Sequence, residues 1–247
     1  MLKSFIGTVE IPMLSGSMSA ELRSAAWNSK DSDMLKTILF DNDGVLVDTE
    51  GVFYEACRIM LKEFGTDLDE RTFAEISMVQ GKSLADMIVD LGYSAEIAEA
   101  AREKRNLIYD EMLAERGRSL VIPNVPEVLE KLHSHYKIGV VTCCQTMNFN
   151  RIHDASGLRQ YFDFVVGDDD FTHHKPHPEP YLTALARSGF AAEEALAVED
   201  SERGILSAKR AGIAAAAIPR GISKYGNFDL ADHRFESILE LADFLIR

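Results

Sequence analysis

The sequence predicts an α/β fold: a Rossmann-like core built on a parallel sheet with helices on both faces, interrupted by an inserted α-helical cap domain. Two observations carry that expectation. From Lys36 onward, short apolar runs alternate with amphipathic helical segments, the pattern of a parallel sheet whose crossovers are helices. Between Asp48 and Ile122 the alternation stops, and only helical periodicity appears, so this stretch reads as an insertion in the first crossover.

Taken in order, Met1 to Asp33 scatters Phe5, Ile6, Ile11, Leu14, Leu22 and Trp27 among Ser and Gly. It lacks the compact apolar segment and cleavage pattern of a secretory signal, and Glu10 and Glu21 argue against an organelle transit peptide. Residues 1–33 therefore read as an accessory N-terminal arm. The first strand is expected at Thr37–Phe40. Helices follow at Val52–Phe64, Asp69–Met78, Leu84–Leu91 and Ala95–Arg116, punctuated by Gly65, Gly92 and Gly117, with Pro123 and Pro126 marking the return to the core. Strands at Ile138–Thr142, Phe164–Val166, Ala195–Val198 and Ala214–Ile218 then alternate with helices at Val125–Ser134, Asn148–Ser156, Pro180–Ser188 and Gly204–Ala211. A last helix near Phe235–Ile246 closes the domain. The expected division is residues 34–49 and 123–247 for the core and 50–122 for the cap.

Of the 247 residues, 40 are Asp or Glu and 26 are Lys or Arg, a net charge of −14. Such a field repels nucleic acid and anionic membranes, so neither is an expected partner. An anionic small substrate is repelled too, unless a bound cation and a few placed donors reverse the sign locally. The three cysteines, Cys57, Cys143 and Cys144, are too few and odd in number for a disulfide framework and fit a reducing cytoplasm. No stretch approaches the uncharged apolar length that spans a bilayer.

In an open parallel sheet, ligands gather at the carboxyl ends of the strands. The first strand runs directly into Asp41-Asn42-Asp43-Gly44. Alternate residues of an extended segment share a face, so Asp41 and Asp43 start on one side. Gly44 then allows a sharp turn and a close approach to a ligand. Two carboxylates there suit a hard divalent cation, and one of them can attack phosphorus. The second strand ends in Thr142 and Cys143, the loop after the third leads to Lys175-Pro176-His177-Pro178, and the fourth ends in Glu199-Asp200-Ser201 before a glycine that opens a helix. Singly, these are a helix cap, a surface lysine and an acidic helix start. Together they supply a nucleophile, a hydroxyl, a cation and an acidic pair at successive strand ends.

The segments DNDGVLVDTE, VVTCC, KPHPEPY and EDSERGILSAKRAG, in this order, resemble the motifs of the haloacid dehalogenase-like superfamily, in its subgroup with a helical cap after the first motif. The resemblance covers nearly everything from Met34 to Arg247. It implies that Asp41 is the nucleophile and Asp43 the general acid/base. It also implies that Thr142 and the backbone amide of Cys143 bind the transferring phosphoryl group, and that Lys175 neutralises charge between nucleophile and phosphate. Asp41, the Asp43 carbonyl, Glu199 and Asp200 would hold Mg2+. Relatives that cleave carbon–halogen or phosphonate bonds lack an acid two residues after the nucleophile, so Asp43 points to a phosphatase or phosphomutase.

The cap is expected to select the substrate, through the loop Val79-Gln80-Gly81-Lys82-Ser83, whose amides and Lys82 are placed to meet a polar ligand. Relatives that move phosphate between sugar carbons carry a histidine where this chain has Phe53 and an arginine where it has Leu84. Both departures weaken the mutase reading. Cys143 stands where relatives have asparagine or serine, while His153, His173, His174 and His177 read as loop or helix-surface residues without metal-ligand spacing. The expectation is a cytoplasmic, Mg2+-dependent phosphatase, a monomer or weak homodimer, acting on a small sugar phosphate or phospho-acid through an aspartyl-phosphate. The alternatives are a β-phosphoglucomutase-like mutase and a weakly catalytic phosphate-binding protein.

Overall fold

In the computed structural model, residues 34–246 are described. The accessory arm expected at residues 1–33 lies outside them. The sheet has six strands: β1 (Thr37–Phe40), β2 (Lys137–Val141), β3 (Phe164–Val166), β4 (Ala195–Glu199), β5 (Ala214–Ala217) and β6 (His233–Arg234), in the order β3-β2-β1-β4-β5-β6. Every pairing is parallel. Strand β6 falls outside the expected set, because two residues carry no periodicity to read. Phe40 stands in register with Val140 on one side and Val198 on the other, so β1 is central and the chain leaves it in both directions. That is the switch point at which a parallel sheet opens a crevice.

The strands are apolar along their whole length because helices bury both faces. Around the sheet lie α5 (Val125–His133), α6 (Thr146–Ser156), α7 (Glu179–Ser188), α8 (Glu202–Arg210) and α9 (Ile238–Leu245). One face packs Ile38, Phe40, Val140, Leu196 and Val198 against Val125, Leu129 and Leu241. The other packs Leu39, Val141, Ala197 and Ala215 against Tyr181, Ala184, Ile205 and Ala208. Adjacent residues of each strand thus serve opposite layers, as the period of two requires.

Between β1 and β2 lie α1 (Glu50–Lys62), α2 (Glu70–Phe73), α3 (Asp86–Asp90) and α4 (Ala95–Arg116). They have a core of their own around Cys57, Met60, Leu61, Phe73, Leu84 and Ile88. The single helix expected at Asp69–Met78 splits, with α2 continuing into a π-helical turn at Ala74–Val79. The chain leaves and re-enters the sheet layer side by side: Asp48 N donates to Leu120 O at 2.8 Å, and Ile122 N to Leu46 O at 3.1 Å. Val47, Val52, Leu113, Leu120 and Ile152 seal this junction with apolar surface.

Candidate active site

Because β1, β2 and β4 are neighbours in one parallel sheet, their carboxyl ends meet at one edge. Asp41 continues β1, its N–H donating to Val198 O at 2.8 Å, and the chain then turns, with Gly44 N donating to Val47 O at 2.8 Å. Gly44 has φ +79°, and a Cβ there would lie 2.0 Å from Asp200 Oδ2. Only glycine fits this turn beneath that carboxylate. Gly44, expected as a substrate contact, is instead buried and admits Asp200 to the site. Glu199 needs similar room, since a Cβ on Gly204 would lie 1.9 Å from its carboxyl carbon.

At the centre is Lys175, 7% exposed. Its Nζ donates to Asp41 Oδ1 at 2.6 Å, Glu199 Oε1 at 2.7 Å and Val141 O at 2.8 Å, which uses all three of its protons. Tyr181 Oη also donates to Glu199 Oε1 at 2.7 Å, and Ser201 Oγ to Glu199 Oε2 at 3.1 Å. Burial works against the Lys175 charge, but Asp41 and Glu199 outweigh it and hold the ammonium well above its ordinary pKa. Burial raises the Asp41 carboxyl against the pull of Lys175, reinforced by Glu199, Asp43 and Asp200.

Asp43 is held from two sides. Thr142 Oγ1 donates to its Oδ2 at 3.1 Å, and Thr49 Oγ1 donates to its Oδ1. Thr142 is fully buried and also accepts from Cys144 N at 2.9 Å. The hydroxyl expected on the phosphoryl group here donates to Asp43. The phenol of Tyr109, from α4, is raised well above its ordinary value by burial, then by the Asp43 carboxylate. Tyr109 is a member of the site that the sequence reading missed, since nothing in the helical pattern of α4 marks it.

Glu50 was missed as well. It lies at the first turn of α1 beside the acidic cluster, where burial and then the Asp43 carboxylate push its carboxyl up to about 8. Burial, then Glu50 and Glu199, raises Asp200 too. Asp41, Asp43, Glu50, Glu199 and Asp200 thus crowd around one ammonium. Oxygens of Asp41, Glu199 and Asp200 all lie within 4.8 Å of one another, and the buried Asp200 Oδ2 has no hydrogen-bond partner among the described residues. A set of hard oxygen donors with surplus negative charge and an unsatisfied carboxylate oxygen fits a divalent cation such as magnesium. The Asp43 carboxylate lies outside this group, consistent with its engagement by the two threonines.

These residues open on a cleft of about 310 Å³. Its far wall is Ser77 and Met78 of the π-helical turn, with Arg203 at the rim. The cap residues expected there, Gln80, Gly81, Lys82 and Ser83, do not line it. Gln80, Gly81 and Lys82 are exposed, and Ser83 Oγ accepts from Ala85 N at 3.2 Å. Gly81 meets the cleft only through Arg203, since a Cβ on it would lie 2.7 Å from that guanidinium. Arg203 is fixed in turn by donating to Lys175 O at 2.5 Å.

The histidines also depart from expectation. His153 is 1% exposed, a core residue of α6 rather than a surface one. Its Nε2 lies 2.7 Å from Asn42 Oδ1 and its Nδ1 3.0 Å from Ser156 Oγ. His173 and His177 converge on Glu179 with ligand atoms within 4.8 Å, a juxtaposition that the sequence spacing concealed. His173 Nδ1 lies 2.7 Å from Glu179 Oε2, and that carboxylate also accepts from Thr172 N and His173 N. His174 pairs with Asp168 at 3.2 Å.

The arrangement has counterparts in known proteins. A phosphatase-described protein of Dickeya dadantii, IndB, is 32% identical over 192 residues, 76% of this chain and 83% of that protein. A phosphorylated carbohydrates phosphatase of Thermotoga maritima is 31% identical over 185 residues, 72% of this chain and 82% of that protein. The crystal structure of β-phosphoglucomutase from Clostridium difficile superposes with a TM-score of 0.68 at 23% identity, covering 84% of this chain and 93% of the other, a likeness of fold. The haloacid dehalogenase-like hydrolase family matches residues 38–218, which contain all four strand-end segments. With its acidic edge, buried lysine and parallel sheet in that order, the chain belongs to the haloacid dehalogenase-like hydrolases.

Proposed function

We propose that the protein is a magnesium-dependent phosphatase that hydrolyses a small phosphorylated metabolite through an aspartyl-phosphate. The observation that carries this reading is Lys175 held between Asp41 and Glu199 at 2.6 and 2.7 Å, beside an acidic cluster with too much negative charge for one ammonium. In its support, two relatives of this chain are phosphatases by description, one of them acting on phosphorylated carbohydrates.

In this reading Asp41 attacks phosphorus, its carboxylate oriented through Oδ1 by Lys175. Lys175 and the backbone amide of Cys143 face the charge that develops on the equatorial oxygens. Asp43, aimed by Thr49 and Thr142, protonates the leaving oxygen and then takes a proton from the water that cleaves the aspartyl ester. Asp41, Glu199, Asp200 and the Asp43 carbonyl would hold magnesium, which supplies the positive charge that lets an anionic ester approach an anionic carboxylate. Residues 50–122 act as the cap, closing Ser77 and Met78 over the cleft and excluding water. Phe53, packed edge-on to Tyr109 at 5.4 Å, offers no proton-transfer group for a mutase cycle. Three free cysteines fit a cytoplasmic setting.

The test is release of inorganic phosphate from a panel of sugar phosphates and phospho-acids in magnesium. Turnover that disappears in Asp41→Asn supports the reading. No turnover on any ester, or turnover that survives Asp41→Asn, overturns it.

A further inference from the structure

Beside the catalytic cleft is a second cavity of about 440 Å³, walled by α4 and by the segment after β2. The two share Asp43, Ser77 and Cys143, so the second cavity adjoins the cleft at the residue that protonates the leaving oxygen in the phosphatase reading. We propose that it binds an uncharged, polyhydroxylated leaving group and rejects substrates that bring a second anionic group there. This rests on the phosphatase reading and decides between the two substrate classes that reading leaves open.

The charges are segregated. Lys175 and Arg203 line the catalytic cleft, but among the described residues the second cavity has no lysine, arginine or histidine in its lining. Its charged groups are the carboxylates of Asp43 and Asp110. Arg105, buried on the same helix, does not itself line the cavity but stands behind two residues that do. Its guanidinium lies 4.7 Å from the centre of the Phe53 ring and donates to Asn106 Oδ1 at 2.7 and 3.2 Å. A carboxylate or second phosphate entering here would face Asp110 with no cation in the wall itself, since Arg105 is engaged by Asn106 and Phe53 and Arg151 donates to the Asp110 backbone carbonyl at 3.3 Å, a built-in element of discrimination.

The remaining polar groups suit hydroxyls. With its oxygen taken by Arg105, Asn106 has its amide N–H groups to offer. Asn148 donates from Nδ2 to Asp110 Oδ1 at 3.1 Å. That leaves Asn148 Oδ1, on a residue 6% exposed, as a buried acceptor without a partner among the described residues. A buried amide oxygen without a donor is costly, and a ligand hydroxyl would satisfy it. Ser77 and Gln145 add further hydroxyl and amide groups. Phe53 and the thiols of Cys143 and Cys144 form the apolar part of the wall. A wall of neutral donors and acceptors, paired carboxylate and aromatic surface matches a sugar or polyol better than an organic acid.

The experiment compares kcat/KM, in magnesium, for matched substrates: hexose and polyol monophosphates against phosphoglycolate and a sugar bisphosphate. The wild type is expected to favour the neutral leaving group by about tenfold or more. Asp110→Lys should shift that ratio toward the anionic substrates by about tenfold, and Asp110→Asn, which keeps the shape, in the same direction by less. Should Asp110→Lys fail to fold, Asn106→Lys on the exposed part of the wall carries the same expectation. A wild-type preference for the anionic substrates, or a ratio unmoved in folded variants, overturns the proposal and leaves the phosphatase reading standing. Absence of turnover on every ester overturns both.

Discussion

At the scale of single residues, the site depends on side chains that are absent as much as on those present. Gly44 and Gly204 leave room for the carboxylates of Asp200 and Glu199, and a Cβ at either would lie 2.0 or 1.9 Å from atoms of those groups. Gly204→Ala is therefore expected to displace Glu199 from Lys175 and to destabilise the protein by about 1–3 kcal/mol, as overpacking does. Thermal unfolding measures the loss, and an unchanged Tm would contradict it. Lys175→Met removes the ammonium that orients Asp41, and its expected effect is a loss of kcat on the order of a hundredfold to a thousandfold. Retention of wild-type kcat would remove Lys175 from the mechanism.

Elements position these residues, and their legibility in the sequence differs for physical reasons. Asp41, Asp43, Lys175, Glu199 and Asp200 were readable because each follows an apolar strand or its loop, and parallel pairing brings strand ends together automatically. Glu50, Tyr109, Ser77, Met78 and Arg203 were not, because helix-to-sheet packing places them and helical periodicity does not say which solvent-facing turn will meet the sheet edge. The cap loop failed for the same reason: a glycine turn is visible, but its direction is not. His153 was misread because one polar residue on an amphipathic helix gives no sign of a buried partner, here Asn42 on the turn after β1. Its burial has a pH signature. Burial depresses the imidazole to about 4, whereas an unfolded chain titrates near 6.5. Between these values the unfolded chain holds a proton that the folded chain lacks, so stability is present above about 6.5 and is lost as pH falls toward 4. The full loss is about 3 kcal/mol. His153→Gln should flatten stability across this window in denaturant titrations, and an unchanged slope would contradict the assignment.

At the scale of the whole molecule, a chain of net charge −14 has gathered further carboxylates at one sheet edge. No helix among the described residues is long and apolar enough to cross a membrane. The crowding of acids has a thermodynamic consequence under the proposed function: a bound cation would relieve their mutual repulsion. Magnesium at about a hundred times its Kd should stabilise the fold by about 2.7 kcal/mol. For a domain of this size that raises Tm by about 5–10 °C. Asp200→Asn should raise Tm without magnesium, by relieving repulsion, and shrink the magnesium response. Equal responses in both proteins would place the ion elsewhere. The most direct measurement of the central claim is rapid acid quench during turnover, followed by mass spectrometry of the peptide that contains Asp41. The account predicts a phosphoryl group on Asp41 that accumulates in Asp43→Asn, where the second step has lost its base. Phosphate released with no adduct on Asp41 at any quench time would contradict it.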